Sequence, residues 1–171
     1  MHEKGIDVII PVFKISGLER SLRSIPSSSL VRVTIVDDGQ FNDYSDILNA
    51  FKDSLDIRIL QLPKNVGQGL ARQKGIDNSN KEVVFFLDCG DVICYKNEME
   101  KIYNIFLNNK SICFTDNYTF AEKINGEKDK YKLCVMGQFY RRSFLDYYKI
   151  RFCDNDTASR KMEDIAFNTL C

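Results

Sequence analysis

The sequence predicts an α/β protein with a doubly wound, mostly parallel sheet, and three observations support this class. Four short runs rich in β-branched and aromatic residues recur in the first half of the chain, and helix-like segments separate them. The first and fourth runs are nearly continuous in apolar residues, as in strands that are covered on both faces. Such alternation is typical of parallel strands joined by right-handed crossovers. The predicted strands are 6–13, 31–36, 57–62 and 83–87.

Helices are predicted in each connection between these strands and after the fourth strand. Ser16 and Glu19 form a capping box for the first helix, and Asn42 or Asp43 is the expected N-cap of the second. The third helix, over residues 67–77, is weakened by its glycines. The predicted apolar faces are Leu18, Leu22 and Ile25 in the first helix, Tyr44, Ile47, Leu48 and Phe51 in the second, and Met99, Ile102, Tyr103 and Phe106 in the fourth.

The second half of the chain has a different pattern. Residues 112–120 and 131–136 have the composition of strands, and the polar stretch between them contains the turn signal Asn125-Gly126. We therefore expect a hairpin or an antiparallel strand added to the sheet, followed by a helix over 160–170. No internal repeat or linker interrupts the sequence, so a single domain over residues 1–171 is expected.

The composition argues against several classes of function. Lys and Arg number 24 and so do Asp and Glu, so there is no basic field to attract a nucleic acid. The single histidine, His2, argues against catalysis by a Ser-His-Asp or Cys-His centre. The six cysteines include no Cys-x-x-Cys pair, and we expect reduced thiols in a cytoplasmic protein. No apolar run reaches the length of a membrane span.

The residues that follow each strand are the candidate site, because ligands of an open α/β sheet bind beyond the carboxyl ends of its parallel strands. These residues are Pro11-Val12-Phe13, Asp37-Asp38-Gly39, the stretch from Lys64 to Gly69, and Asp88-Cys89-Gly90-Asp91. Carboxylates at two strand ends beside a helix N-terminus indicate a nucleotide and metal site. Ordinary turns would also explain both acidic segments. Arg72, one turn into the third helix, is either a phosphate ligand or an exposed helix arginine.

Six segments, in this order, resemble the family 2 glycosyltransferases of GT-A fold. They are DVIIPVF, TIVDDG, NVGQGLARQKGID, VVFFLDCGD, GQFYRRSFLDYYKIRF and MEDIAFN, and together they extend from Ile6 to Asn168. The resemblance implies a Rossmann-like three-layer sandwich whose central sheet is mostly parallel, with an added antiparallel strand or hairpin. It also implies transfer of a sugar from a nucleotide-diphosphate sugar to an acceptor hydroxyl.

The resemblance also implies roles for single residues in binding the donor. Asp38 is expected to accept a hydrogen bond from the imide N–H of a pyrimidine base. The residues expected to bind the donor sugar nucleotide are Pro11, Val12, Asp38, Gly67, Gly69, Arg72 and Asp88.

Metal binding and catalysis are assigned by the same resemblance. Asp88 and Asp91 lie in the region of the family's Asp-x-Asp motif, which implies a divalent cation, Mg or Mn, at the diphosphate. Gly90 stands where the family commonly has aspartate, so we expect a lower metal affinity or a direct role for Asp91. Asp164 is implied as the catalytic base of an inverting displacement. Glu163-Asp164 would equally be an acidic pair at an ordinary helix N-terminus.

The leading interpretation is an inverting, UDP-dependent glycosyltransferase of glycan or surface-polysaccharide synthesis, acting on a glycan or lipid-linked acceptor. A catalytically silent sugar-nucleotide-binding module is the alternative, because of Gly90 and because the chain ends seven residues after Asp164. A nucleotidyltransferase is disfavoured, since only Gly17 stands in its expected Gly-rich loop. For this family the chain is short, and a truncated catalytic domain, peripheral at the inner face of a membrane through missing C-terminal parts, is expected.

Overall fold

The computed structural model describes residues 2–94, 99–108, 113–115 and 138–152. In chain order, the elements are β1 (Glu3–Val12), α1 (Leu18–Arg23), β2 (Val31–Asp37), α2 (Ser45–Phe51), β3 (Asp56–Gln61), α3 (Gln68–Asn78), β4 (Lys81–Phe86), α4 (Met99–Asn108), β5 (Cys113–Thr115), β6 (Gln138–Arg141) and α5 (Arg142–Tyr147). Among these described residues, no helix is both long and apolar enough to cross a membrane.

The strands form one mixed sheet in the order β3-β2-β1-β4-β6-β5. β1 pairs in parallel with both β2 and β4, and β2 pairs in parallel with β3. β6 runs antiparallel to β4, with Phe85 opposite Phe139, and β5 runs antiparallel to β6. The predicted parallel sheet with an antiparallel addition is therefore confirmed. Because the strand order reverses at β1, the carboxyl ends of β1 and β4 border the crevice where such sheets bind ligands.

Apolar side chains cover both faces of the sheet, and this produces three layers. On one face, Val8, Ile10 and Phe85 pack against α1, α2 and α4. On the other face, Ile9 and Phe86 pack against α3 and α5. The nearly continuous apolar runs of β1 and β4 are explained by this arrangement, since every side chain of such a strand meets a helix layer.

Gly75 allows α3 to lie close to β1. A Cβ atom at this position would lie 2.4 Å from Cγ2 of Ile9, a side chain that is fully buried. The glycines of this segment lower its helix propensity, but Gly75 has a packing role that a larger residue could not fill.

Two predicted N-caps differ from the structure. α1 begins after Gly17, and no side chain caps it, so the capping box of Ser16 and Glu19 is wrong. α2 has Tyr44 at its N-cap, and Asp43 instead accepts hydrogen bonds from the backbone N–H and the hydroxyl of Ser45. Asp43 therefore closes a local turn before the helix, a geometry that competes with capping.

The remaining differences concern faces and boundaries. Leu48 of α2 is 38% exposed rather than part of the core. The strand predicted over 112–120 is represented by Cys113–Thr115. Its partner is Gln138–Arg141, a short strand whose first three residues are all buried, so it shows no alternation that would reveal it. The predicted strand 131–136 and helix 160–170 lie outside the described residues.

We expect Gly75→Ala to lower the free energy of unfolding by about 1–3 kcal/mol, because the new methyl group overlaps Ile9 in a close-packed layer. Urea denaturation measures the change. Lys74→Ala, at an exposed position of the same helix, is the control and should leave stability within about 0.5 kcal/mol. In a chain that already carries Ile9→Ala, Gly75→Ala should cost less free energy of unfolding than it does alone, because the overlapping side chain has been removed. Strictly additive losses would contradict the proposed contact.

Candidate active site

A cleft of about 530 Å³ lies at the carboxyl ends of β1, β2 and β4. Its lining comes from the segments that follow four strands: Pro11, Val12, Phe13, Lys14, Ser16, Asp38, Asn65, Gly67, Gln68, Asp88 and Cys89. Five of the seven residues predicted to bind a donor are thus brought together at one opening. The other two, Gly69 and Arg72, are buried in α3 behind it.

Asp38 holds the loop between β3 and α3 against the end of β2. Its Oδ1 accepts a hydrogen bond from the backbone N–H of Val66 at 2.7 Å. Its Oδ2 accepts from the N–H of Gly67 at 3.0 Å and from Nδ2 of Asn65 at 2.9 Å. The side chain is only 3% exposed, yet it lines the cleft. Asp38 therefore holds one wall of the site in place through hydrogen bonds within the protein. This role does not depend on a bound ligand.

Asp37, the preceding residue, organises the loop on the other side. Its carboxylate accepts hydrogen bonds from the backbone N–H groups of Gln40, Phe41 and Asn42 and from the hydroxyl of Tyr44. Burial by itself raises the pKa of Asp37, but these hydrogen bonds outweigh burial and hold the pKa below its ordinary value of 3.8. A turn was one interpretation of Asp37-Asp38-Gly39. The structure shows that both aspartates are buried anchors.

Asp88 forms a buried ion pair with Arg72. Nη2 of Arg72 donates to Oδ1 of Asp88 at 2.7 Å, and the arginine side chain is 1% exposed while that of Asp88 is 26% exposed. The interpretation of Arg72 as an exposed helix arginine is therefore wrong. The structure places its guanidinium beneath Asp88 and away from the cleft lining.

Gly90 has a backbone reason to be glycine. The N–H of Asp91 donates to the carbonyl of Asp88 at 3.0 Å, which closes a turn, and Gly90 takes a φ of 101° within it. Its N–H donates to the hydroxyl of Ser21 in α1 at 2.8 Å. Side chains other than glycine are strained at such a φ. The missing acidic group at this place is thus linked to the shape of the turn.

The pair formed by Asp88 and Asp91 is suited to a cation. Partial burial raises the pKa of Asp91, the neighbouring charge of Asp88 raises it further, and Arg20 offsets part of the rise. A hard divalent cation beside the two carboxylates would offset the repulsion that raises the pKa of Asp91. Within the described ranges, no group of three or more potential ligand residues is placed to hold a metal ion by itself.

Cys89 and several other cleft residues were not assigned a role from the sequence. The Sγ atom of Cys89 lies 3.5 Å from the carbonyl oxygen of Lys14, and burial followed by the charges of Asp88 and Asp91 raises the pKa of the thiol. The thiol therefore stays protonated and joins two loops of the cleft. Cys89 and Cys94 are both free. Of the lining residues without an assigned role, Phe13, Asn65, Gln68 and Cys89 belong to the segments named from the sequence. Lys14 and Ser16 were missed, and their position after β1 is the signal that could have identified them.

Asp164, the expected base, lies outside the described residues, as does Glu163. The structure gives no test of either role.

Comparison with known proteins identifies the fold and the family. Crystal structures of TarS from S. aureus superpose with this chain, and the one determined with UDP gives a TM-score of 0.72 at 21% identity over 95% of this chain and 53% of TarS 1-349. A mannosyltransferase from Pyrobaculum calidifontis in complex with GDP-Man and Mn²⁺ gives a TM-score of 0.66 at 13% identity, over 96% of this chain and 51% of that chain. The fold is that of the GT-A glycosyltransferases.

The model of the family "Glycosyl transferase family 2" matches residues 7–166, and the chain belongs to this family. Among curated proteins, the poly(ribitol-phosphate) beta-N-acetylglucosaminyltransferase TarP of Staphylococcus aureus is 30% identical over 96% of this chain and 56% of TarP. A glycosyltransferase of Rickettsia felis is 32% identical over 82% of this chain and 23% of the relative. The chain therefore spans about half, or less, of the length of these relatives.

We expect Asp37→Asn to destabilise the protein by about 2 kcal/mol at pH 7, because an amide cannot accept all the hydrogen bonds that converge on this carboxylate. The lowered pKa means that the ionised form contributes stability at neutral pH, and this contribution is lost as the pH falls through the folded-state pKa. Urea denaturation from pH 7 to pH 3 should show the two proteins converging. Asp46→Asn, exposed in α2, is the control; a pH-independent difference would contradict the assignment.

Proposed function

We propose that the protein transfers a sugar from a UDP-sugar to an acceptor hydroxyl, with inversion at the anomeric carbon, in the synthesis of a surface polysaccharide or related glycan. The observation that carries the proposal is the cleft at the carboxyl ends of β1, β2 and β4, which has Asp38 at one wall and Asp88 at the other. The site needs no histidine, because its chemistry rests on carboxylates.

The nucleobase is proposed to lie between the end of β1 and Asp38. Pro11 and Val12 provide an apolar wall, and Phe13, which is 47% exposed at the cleft, offers a ring face. Oδ1 of Asp38 accepts one hydrogen bond from protein, and a carboxylate oxygen has capacity for another. An imide N–H of uracil can donate that hydrogen bond, whereas N3 of cytosine is an acceptor and cannot. The arrangement therefore favours a base with an imide N–H, such as uracil, over cytosine.

Asp88 and Asp91 are the residues that would hold a Mg or Mn ion. When bound, such an ion supplies positive charge that stabilises the negative charge developing on the leaving diphosphate. Gly67 and Gln68, at the N-terminal end of α3, line the same cleft. The N–H of Gly67 is bound by Asp38, so the backbone N–H of Gln68 is the one proposed to face the diphosphate.

For the transfer itself, Asp164 is proposed as the general base. The acceptor oxygen attacks the anomeric carbon, the bond from that carbon to the diphosphate oxygen breaks, and the proton of the acceptor hydroxyl passes to the carboxylate. UDP leaves with the bonding electrons, and attack from the opposite side inverts the configuration.

The names of similar proteins support the proposed donor and acceptor class. TarS was crystallised with UDP and with UDP-GlcNAc, and TarP is named for transfer of N-acetylglucosamine to poly(ribitol-phosphate). A glycan or lipid-linked polymer is accordingly the proposed acceptor.

Gly90 favours a second candidate, a catalytically silent module that binds sugar nucleotides, since it removes one acidic group from the metal region.

Isothermal titration calorimetry with UDP, dTDP, GDP and CMP tests the donor site. We expect UDP to bind most tightly and MnCl₂ to tighten its binding. CMP should bind at least about tenfold more weakly, because N3 of cytosine has no N–H to donate to Asp38 and because CMP lacks the second phosphate. Asp91→Ala should abolish most of the effect of Mn on the UDP affinity. Folded protein that binds none of the four nucleotides would refute the proposal.

We expect Asp164→Asn to lower the release of UDP from UDP-GlcNAc by about 10²–10⁴-fold, because an amide cannot take the proton of the attacking hydroxyl or water. The Kd for UDP, measured by calorimetry, should stay within about twofold. Glu163→Gln is the matched control and should retain turnover. Unchanged turnover in Asp164→Asn would remove this residue from the base role, and nucleotide binding without turnover in the unmodified protein would favour the silent module.

A further inference from the structure

We propose that Arg72 is a positioning residue that acts through Asp88: it holds this carboxylate at the wall of the donor cleft and does not itself contact the nucleotide. The inference rests on the proposed function and deepens it. It differs from a direct diphosphate contact, which is the role that the sequence led us to expect for Arg72.

The geometry separates the two residues into an inner and an outer position. Arg72 is 1% exposed and is absent from the cleft lining, whereas Asp88 is 26% exposed and belongs to it. Nη2 of Arg72 and Oδ1 of Asp88 are 2.7 Å apart, a short charge-assisted hydrogen bond. A nucleotide that enters the cleft therefore reaches Asp88 first, with Arg72 behind it.

Arg72 is held firmly in this inner position. Its guanidinium carbon lies 5.9 Å from the centre of the Phe152 ring, and Gly75, one turn further along α3, keeps the helix close to β1. A buried cation is stabilised by a charged partner, and moving the guanidinium toward a ligand would break its 2.7 Å hydrogen bond with Asp88. The side chain is therefore better suited to fix Asp88 than to move toward a donor.

Asp88 is fixed from two sides at once. From α3, Arg72 binds its carboxylate; from α1, the hydroxyl of Ser21 lies 3.4 Å from its carbonyl oxygen. A carboxylate has about four lone-pair sites, so an oxygen bound to Arg72 leaves acceptor capacity for a donor hydroxyl or a cation. Fixing the rotamer before the ligand arrives lowers the entropic cost of binding.

A double-mutant cycle on UDP affinity tests the proposal. Calorimetry with UDP in the presence of MnCl₂ is applied to Arg72→Met, Asp88→Asn and the double variant. We expect each single change to weaken UDP binding about tenfold, and the double variant to bind within about twofold of Asp88→Asn, because Arg72 has then lost the group through which it acts. Additive losses, about a hundredfold in the double variant, would show that Arg72 contacts the nucleotide independently and would overturn the proposal.

Further variants separate positioning from folding. Lys74→Met, which removes an exposed cation from the same helix, is the matched control and should leave UDP affinity unchanged. Arg72→Lys keeps the charge and should weaken UDP binding only about threefold; it replaces Arg72→Met in the cycle if that variant does not fold. If Arg72→Met lowers the Tm but leaves the UDP affinity unaltered, Arg72 only stabilises the fold, and the inference is overturned. Absence of UDP binding by the folded, unmodified protein would instead refute the proposed function.

Discussion

Two consecutive buried carboxylates at the end of β2 hold the loops that follow β2 and β3, and the second of these loops lines the cleft. Asp37 collects the backbone N–H groups of residues 40–42, and Asp38 collects those of Val66 and Gly67. Successive side chains of a strand point to opposite faces, so neighbouring residues can reach loops on opposite sides of the sheet. Because the parallel sheet fixes the end of β2, it also fixes both loops. The wall of the cleft formed by Asn65 and Gly67 is therefore held to the end of the sheet by hydrogen bonds to Asp38.

The sheet could be predicted because each parallel strand is indicated by a short run of neighbouring residues in the sequence. Runs of apolar residues identified the four parallel strands, and helix-like connections between them required crossovers. The hydrogen-bonded ends of the helices were not predictable in the same way. Ser16 and Glu19 satisfy the pattern of a capping box, yet the chain enters α1 through Gly17. The short strand Gln138–Arg141 carries no alternation, and only its pairing with β4 reveals it.

The sequence predicted which residues lie at the site better than it predicted the contacts that these residues make. Asp38 and Asp88 follow strands, so both were placed at the cleft from the sequence. The partnership of Arg72 with Asp88 could not be read in this way, because it joins residues 16 positions apart on different elements and depends on how closely α3 packs. From the sequence, Gly90 was noted only because it stands where the family commonly has an aspartate. Its φ of 101° shows that the turn after β4 itself favours glycine.

Asp38, Asp88 and Asp91 are compensated in different ways, and this determines what each can bind. Hydrogen bonds from N–H groups surround Asp38, so a further donor such as an imide adds to an existing set. Arg72 compensates Asp88 from inside the protein. Asp91 faces the charge of Asp88, and its raised pKa reflects that opposition. A cation would relieve this repulsion, and in the proposed site diphosphate oxygens would be among its further ligands. In the proposed mechanism, metal and nucleotide therefore strengthen each other's binding by the same factor, as linkage requires.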